Sequence, residues 1–155
     1  MKQYILLLFS YFFFISCSSS IVIEEVPIDY DALNEIEIQD YITENNLSPQ
    51  KSDTGLYYII KEEGTGNKPT LSSNITVYYK GYDTKGVVFD ESPIEGLSFN
   101  LSEVIKGFSE GMTYLRENGE ATLIIPSKIA YNGNSSFYPF SGKVILFDVK
   151  LISIN

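Results

Sequence analysis

Histidine is absent from the 155-residue sequence, and this absence excludes more chemistry than any other feature of the composition. Without an imidazole there is no Ser-His-Asp or Cys-His nucleophile activation, no histidine metal ligand and no histidine proton relay. Cysteine occurs once, at Cys17, so the chain can form neither an intrachain disulfide nor a thiolate metal cluster.

Basic residues are also few. Eleven Lys and Arg stand against twenty Asp and Glu, which gives a net charge of −9. Binding to the phosphate backbone requires clustered positive charge, so no nucleic-acid partner is expected. A hydrophobic fraction of 44% can supply a core, and a charged fraction of 20% is too low for global disorder. The length accommodates one compact domain with short appendages.

The amino terminus has the pattern of an export signal. Lys2 is followed by an uncharged run of twelve residues, Tyr4–Ile15, which is short of the ~20 residues that span a bilayer. Cys17 follows directly, and this arrangement resembles the lipidation box of bacterial lipoproteins. We therefore interpret residues 1–16 as a lipoprotein signal peptide and Cys17 as the acylated first residue. An uncleaved anchor and plain secretion are the alternatives.

The expected location is the cell envelope. Ser18 after the cysteine resembles the default for sorting to the outer membrane, facing the periplasm or the surface. Residues 17–50 are interpreted as an acidic tether with a short helix. The helix is predicted within Asp31–Asn46, because Ile38, Tyr41 and Ile42 share one helical face. The acidic residues indicate a solvated surface; a basic partner is the alternative.

After Pro49 the sequence alternates strand-like runs with turns that contain glycine. Strands are predicted at Leu56–Glu62, Ile75–Tyr82, Leu97–Leu101, Ala121–Ile125 and Val144–Ile154. One window differs, because Val104, Phe108, Met112 and Leu115 recur at helical intervals. A single short helix must lie across the concave face of the sheet to bury its apolar side. The predicted class is α+β, with an antiparallel twisted half-barrel sheet around one central helix.

Residues 51–155 are interpreted as one domain, in which five sequence blocks carry a family resemblance from about Gly55 to Asn155. They are VYYKG at 77–81, GVVFDES at 86–92, VIKGF at 104–108, IIPSKIAY at 124–131 and LFDV at 146–149. In order and spacing they resemble the FK506-binding-protein (FKBP) type of peptidyl-prolyl cis-trans isomerase. The acidic helical arm resembles that of membrane-anchored members from Bacteroidetes-type bacteria, some associated with gliding motility. The resemblance implies an isomerase that assists the folding of exported proteins.

The resemblance also implies a site. By position, Tyr79, Phe89, Asp90, Ile105 and Tyr131 correspond to catalytic residues, and Leu97, Val104, Phe108, Tyr138 and Phe147 to substrate-binding residues. No metal and no cofactor are implied. The implied partners are proline-containing polypeptides, and macrolides of the FK506 class as inhibitors; the chain is expected to be a monomer. Taken alone, Val104, Phe108 and Phe147 favour core positions over a site; the register of the five blocks reverses this preference.

Several positions depart from the family pattern. Phe108 stands where the pocket floor is often Trp, and Tyr131-Asn132-Gly133 has an extra residue where the family usually has Tyr-Gly. No Arg or Lys lies between Asp90 and Leu97, so tyrosine hydroxyls are expected to orient Asp90 instead. The alternative function is a non-catalytic FKBP-like binding module or holdase chaperone. A hydrolase with paired carboxylates is disfavoured, because no suitable spacing recurs.

Overall fold

The strands form one antiparallel sheet, and one helix packs on each face of it. The computed structural model describes residues 28–132 and 139–155. In chain order the elements are α1 (Tyr30–Glu44), β1 (Gln50–Lys51), β2 (Tyr57–Glu62), β3 (Asn74–Asp83), β4 (Val88–Glu91), β5 (Leu97–Asn100), α2 (Lys106–Thr113), β6 (Glu120–Ile125) and β7 (Ile145–Ile154). Short 3-10 turns occupy Leu101–Glu103 and Ser127–Ile129. Among the described residues, no helix combines the length and apolarity needed to cross a bilayer.

The strand order is β1-β2-β6-β7-β3-β4, and β5 also pairs with β3. Strand β3 divides one of its sides between two partners: residues 74–77 pair with β5, and residues 80–82 pair with β4. On its other side β3 pairs with β7 along nearly its whole length. This division of one strand between two partners leaves Tyr79 between the two pairings, where Ser92 hydrogen-bonds both its backbone N–H and its carbonyl. The predicted α+β class and half-barrel sheet are confirmed.

The main core lies between the concave face of the sheet and α2. Alternate residues of β6 and β7 point to this face, as strand geometry requires, and Leu123 and Phe147 are examples of them. They pack against Phe108 and Met112 of α2. The predicted central helix is therefore confirmed, although it begins only at Lys106 because a 3-10 turn precedes it. Val104 and Leu115 extend the apolar pattern beyond the helix ends.

Helix α1 covers the opposite face of the sheet. The Asp29 side chain accepts a hydrogen bond from Ala32 N (3.1 Å), which caps the start of the helix. The buried side chain of Ile38 packs into a second cluster with Tyr57, Ile124, Val144 and Leu146. The predicted helical face of Ile38, Tyr41 and Ile42 is thus confirmed, but the helix is docked on the domain. The division of the chain at residue 50 stays a prediction.

Two short strands were not predicted from the sequence. Strand β1 has two residues, too few to give an alternating pattern, and β4 has four that are mostly exposed. The turn before β4 is fixed by the Asp83 side chain, which accepts hydrogen bonds from the backbone N–H groups of Lys85 and Val87 (2.9 Å each). This turn places Phe89 and Asp90 beside β3.

Gly107 allows α2 to approach the sheet closely, and Gly107→Ala is expected to lower the free energy of unfolding by about 1–3 kcal/mol through overpacking. A Cβ atom there would overlap the Ile125 side chain and press on Ile129. Alanine is the better helix former by about 1 kcal/mol, so helix propensity alone predicts the opposite sign. Thermal and urea unfolding measure the change, with the exposed Lys106→Ala as control. A stabilised Gly107→Ala variant would contradict the close approach.

Candidate functional site

An open cavity of about 630 Å³ lies at the amino-terminal end of α2, against the concave face of the sheet. We call it the aromatic cavity. Eight of the ten residues implied by the family resemblance line it: Tyr79, Asp90, Leu97, Val104, Ile105, Phe108, Tyr131 and Phe147. They come from β3, β4, β5, the start of α2, the turn after β6, and β7. The fold therefore brings together side chains that are up to 68 residues apart, from position 79 to position 147.

The walls of the aromatic cavity are rings packed edge to face. The centroid of Phe108 lies 5.2 Å from that of Phe147 and 6.0 Å from that of Tyr79, with interplanar angles of 84° and 83°. The Tyr79 and Phe147 centroids are 6.0 Å apart. Such T-shaped pairs are favoured by the ring quadrupoles and hold each ring in one orientation. These three packed rings thus give the cavity an apolar wall.

Phe89 takes a different position from the other predicted residues. Its ring contacts Phe147 (5.7 Å between centroids) and Phe140 (4.6 Å), and it is not among the described residues that line the aromatic cavity. It lies between two aromatic side chains and supports the Phe147 wall from outside. Tyr138, the remaining predicted binding residue, lies outside the described residues, as does Cys17.

Asp90 is oriented by a tyrosine, as the sequence predicts. The Tyr79 hydroxyl donates a hydrogen bond to Asp90 Oδ2 at 2.9 Å. Burial, followed by this hydrogen bond, raises the pKa of Tyr79 to about 12. Burial also raises the pKa of Tyr131, and the negative charge of Asp90 adds to that effect. Both phenols therefore keep their protons at neutral pH, and both residues line the cavity.

The backbone at Ile105 supplies a further polar group. Ile105 is the N-cap residue of α2, in an extended conformation, and no side chain caps this helix end. Its carbonyl accepts from Ser109 N (3.1 Å), whereas its N–H makes no hydrogen bond within the part of the chain that the structure describes. An N–H at a helix start is a ready donor to a carbonyl oxygen. This geometry suits a substrate carbonyl in the aromatic cavity.

Sequence reasoning missed several residues of the site. Phe99, Glu103 and Ala130 also line the aromatic cavity, and Phe140 packs on Tyr131 with 6.0 Å between centroids. Phe99 sits at the predicted strand of Leu97, where alternation could have marked it as inward-facing. Glu103 and Asp90 are the charged lining residues, and no cation lines the described part of the cavity. The described residues contain no group of three or more possible metal ligands.

An antiparallel sheet wrapped around one helix, with an aromatic cavity at the start of that helix, is the architecture of the FKBP-like folds. The chain belongs to the FKBP-type peptidyl-prolyl cis-trans isomerase family, whose pattern matches residues 65–152.

Curated relatives and solved structures agree with this assignment. A probable FKBP-type isomerase FkpA of Neisseria meningitidis is 41% identical over 105 residues, which cover 66% of this chain and 39% of that protein. FkpA of Escherichia coli K12 is 38% identical over 108 residues, covering 67% and 39%. The chain aligns with about two fifths of the length of these relatives.

Two crystal structures share the fold. FkpA from Escherichia coli superposes with a TM-score of 0.70 at 33% identity, over 80% of this chain and 60% of that one. AtFKBP13 superposes with a TM-score of 0.60 at 28% identity, over 70% and 99%.

Proposed function

We propose that this chain catalyses the cis-trans isomerisation of Xaa-Pro peptide bonds in exported polypeptides. The observation that carries the proposal is the aromatic cavity, in which Tyr79, Phe108 and Phe147 form an apolar wall beside a free helix-start N–H. Proline-containing polypeptides are the proposed clients. The substrate proline ring is small, apolar and of a shape that these three rings can surround.

The residues present are sufficient for this reaction without acid or base chemistry. Rotation about the peptide bond meets a barrier of about 18–20 kcal/mol, because partial double-bond character must be lost. The twisted amide is less polar than the planar amide, so an apolar surrounding destabilises the planar form relative to the twisted one. Hydrogen bonds from Ile105 N–H and the Tyr131 hydroxyl to substrate carbonyls would hold the bent peptide in place.

The test is cis-trans exchange of a Phe-Pro peptide, followed by NMR with the full chain in detergent micelles. Added protein is expected to accelerate exchange far above the uncatalysed rate, whose time constant is tens to hundreds of seconds. A folded protein that leaves the exchange rate unchanged would rule out the isomerase. Macrolides of the FK506 class are proposed to occupy the same cavity, and they should inhibit the exchange competitively.

The second candidate is a non-catalytic binding module or holdase. The observation in its favour is the exposed apolar rim of the cavity, where Leu97 is 45% exposed. Such a rim could hold unfolded segments without bond rotation. The same NMR experiment separates the two, because a holdase would broaden or shift the peptide signals without exchange between the cis and trans forms.

We further propose that the chain is a monomer, attached to the cell envelope by a lipid on Cys17, as in the membrane-anchored Bacteroidetes-type form. The support is the sequence of residues 1–17, in which a twelve-residue uncharged run precedes the only cysteine. Residues 18–29 connect that cysteine to α1, and twelve residues can span at most about 40 Å. The cavity would then work close to the membrane, with the outer membrane as the proposed site.

The rate is expected to be nearly independent of pH from about pH 6 to 9. The chain contains no histidine, the side chain that ordinarily titrates in this range. Burial raises the pKa of Tyr79 to about 12 and also raises that of Tyr131, so neither hydroxyl loses its proton below pH 9. NMR exchange measures kcat/KM without a coupling protease. A tenfold decline in a folded protein would instead reveal a catalytic acid, and Asp90→Asn would be compared next.

A further inference from the structure

A buried asparagine on α1 connects the arm to the turn that carries Tyr131. Asn34 is 1% exposed. Its Nδ2 donates to the Gly142 carbonyl oxygen at 2.9 Å, and its Oδ1 accepts from the Ser127 backbone N–H at 2.6 Å. A buried amide is costly unless its polar atoms are paired, and Asn34 pairs both ends with backbone. One side chain thus joins two backbone segments that lie about 100 residues further along the chain.

A second contact fixes the same region to α1. Tyr30 lies one helical turn before Asn34, on the same face of the helix. Its ring packs against Gly142, where φ is +74° and a Cβ atom would overlap the ring. Only glycine suits this position, because both the backbone conformation and the space demand it. The start of α1 therefore holds Gly142 by a ring contact and by a hydrogen bond.

The second hydrogen-bond partner of Asn34, Ser127, connects α1 to the aromatic cavity. Ser127 is fully buried and begins the 3-10 turn Ser127–Ile129. Its carbonyl accepts hydrogen bonds from Ala130 N (3.0 Å) and from Asn132 N. Ala130 donates one of these bonds and Tyr131 lies between the two donor residues; both Ala130 and Tyr131 line the cavity. The position of the Tyr131 ring is thus set by a turn whose first N–H is held by Asn34.

We propose that Asn34 is a positioning residue for Tyr131, so that α1 forms part of the substrate site. Asn34 lies outside residues 65–152, the part that matches the family, so this support is supplied by the arm. The proposal rests on the isomerase function proposed above. A purely structural role would instead confine the effect of Asn34 to the docking of α1.

The decisive variant is Asn34→Ala, compared with Ile38→Val on the same helix. Ile38 is equally buried and docks α1 on the sheet, but it makes no hydrogen bond to the Tyr131 turn. We expect Asn34→Ala to lower kcat/KM about tenfold, because a small displacement of a binding group strongly affects the rate. Ile38→Val should change it less than twofold. In a Tyr131→Ala background the Asn34→Ala change should also cost less than twofold.

A second readout does not depend on activity. The Tyr131 ring signals, assigned by comparison with Tyr131→Phe, are expected to shift in Asn34→Ala and to stay unchanged in Ile38→Val. Unshifted signals, or rate effects that multiply independently with Tyr131→Ala, would overturn the proposal. An inactive wild-type chain would refute the isomerase function, and the ring signals would then decide the positioning role alone. If Asn34→Ala does not fold, Asn34→Ser, which keeps a hydroxyl for one bond, takes its place.

Discussion

A Tyr131→Ala variant is expected to lose about 5- to 150-fold of kcat/KM for a Phe-Pro peptide, which corresponds to about 1–3 kcal/mol of transition-state stabilisation. The ring lines the aromatic cavity and packs on Phe140, and its hydroxyl keeps its proton because burial raises its pKa. Truncation removes apolar contact and one hydrogen-bond donor together. The rate is measured by NMR exchange on a protein shown to be folded.

Tyr58→Ala is the matched control for this truncation. The Tyr58 ring stacks on Tyr114 at 4.5 Å between centroids, and its hydroxyl donates to Gln50 Oε1, outside the aromatic cavity. The two variants delete the same atoms from partly buried sites, so any difference in rate reports on the cavity. Full activity in Tyr131→Ala, or an equal loss of activity in Tyr58→Ala, would contradict a role for Tyr131 in substrate binding or catalysis.

Much of the fold was predictable from periodicity. The strand that contains Tyr79 and the helix that contains Phe108 each bury one face, and their alternating or helical patterns are long enough to recognise. Strand β4 was not recognisable, because its four residues are mostly exposed and its place depends on the turn closed by Asp83. A hydrogen bond between a side chain and a turn leaves no periodic trace in the sequence.

Some features of the candidate site were likewise predictable from the sequence, and others were not. Tyrosine support for Asp90 followed from the lack of a basic residue nearby, and the Tyr79 hydroxyl provides it. The place of Phe89 behind Phe147 did not follow, because residue type and spacing do not distinguish a cavity wall from the layer that supports it. The contacts of Asn34 could not be predicted either, because nothing in its local sequence indicates hydrogen-bond partners at Ser127 and Gly142.

The anchoring proposal predicts the other large effect: Cys17→Ser is expected to lose its lipid completely and to leave the membrane fraction. Acyl chains contribute about 0.8 kcal/mol per buried methylene, and one chain alone gives only marginal binding. The cysteine of a lipoprotein carries several chains, so their removal should abolish attachment. Intact mass and membrane fractionation measure the two changes, with Ser20→Ala as a neighbouring control that keeps the thiol.

The two measurements separate the alternatives for the amino terminus. If Cys17 is not acylated, the wild-type mass carries no lipid, and Cys17→Ser fractionates like the wild type; this outcome would refute the proposed anchor. A variant that loses the lipid yet stays with the membrane would show that residues 1–16 are retained. Their uncharged run of twelve residues is far short of the ~20 that span a bilayer, so such retention should be weak and alkaline washing should remove it.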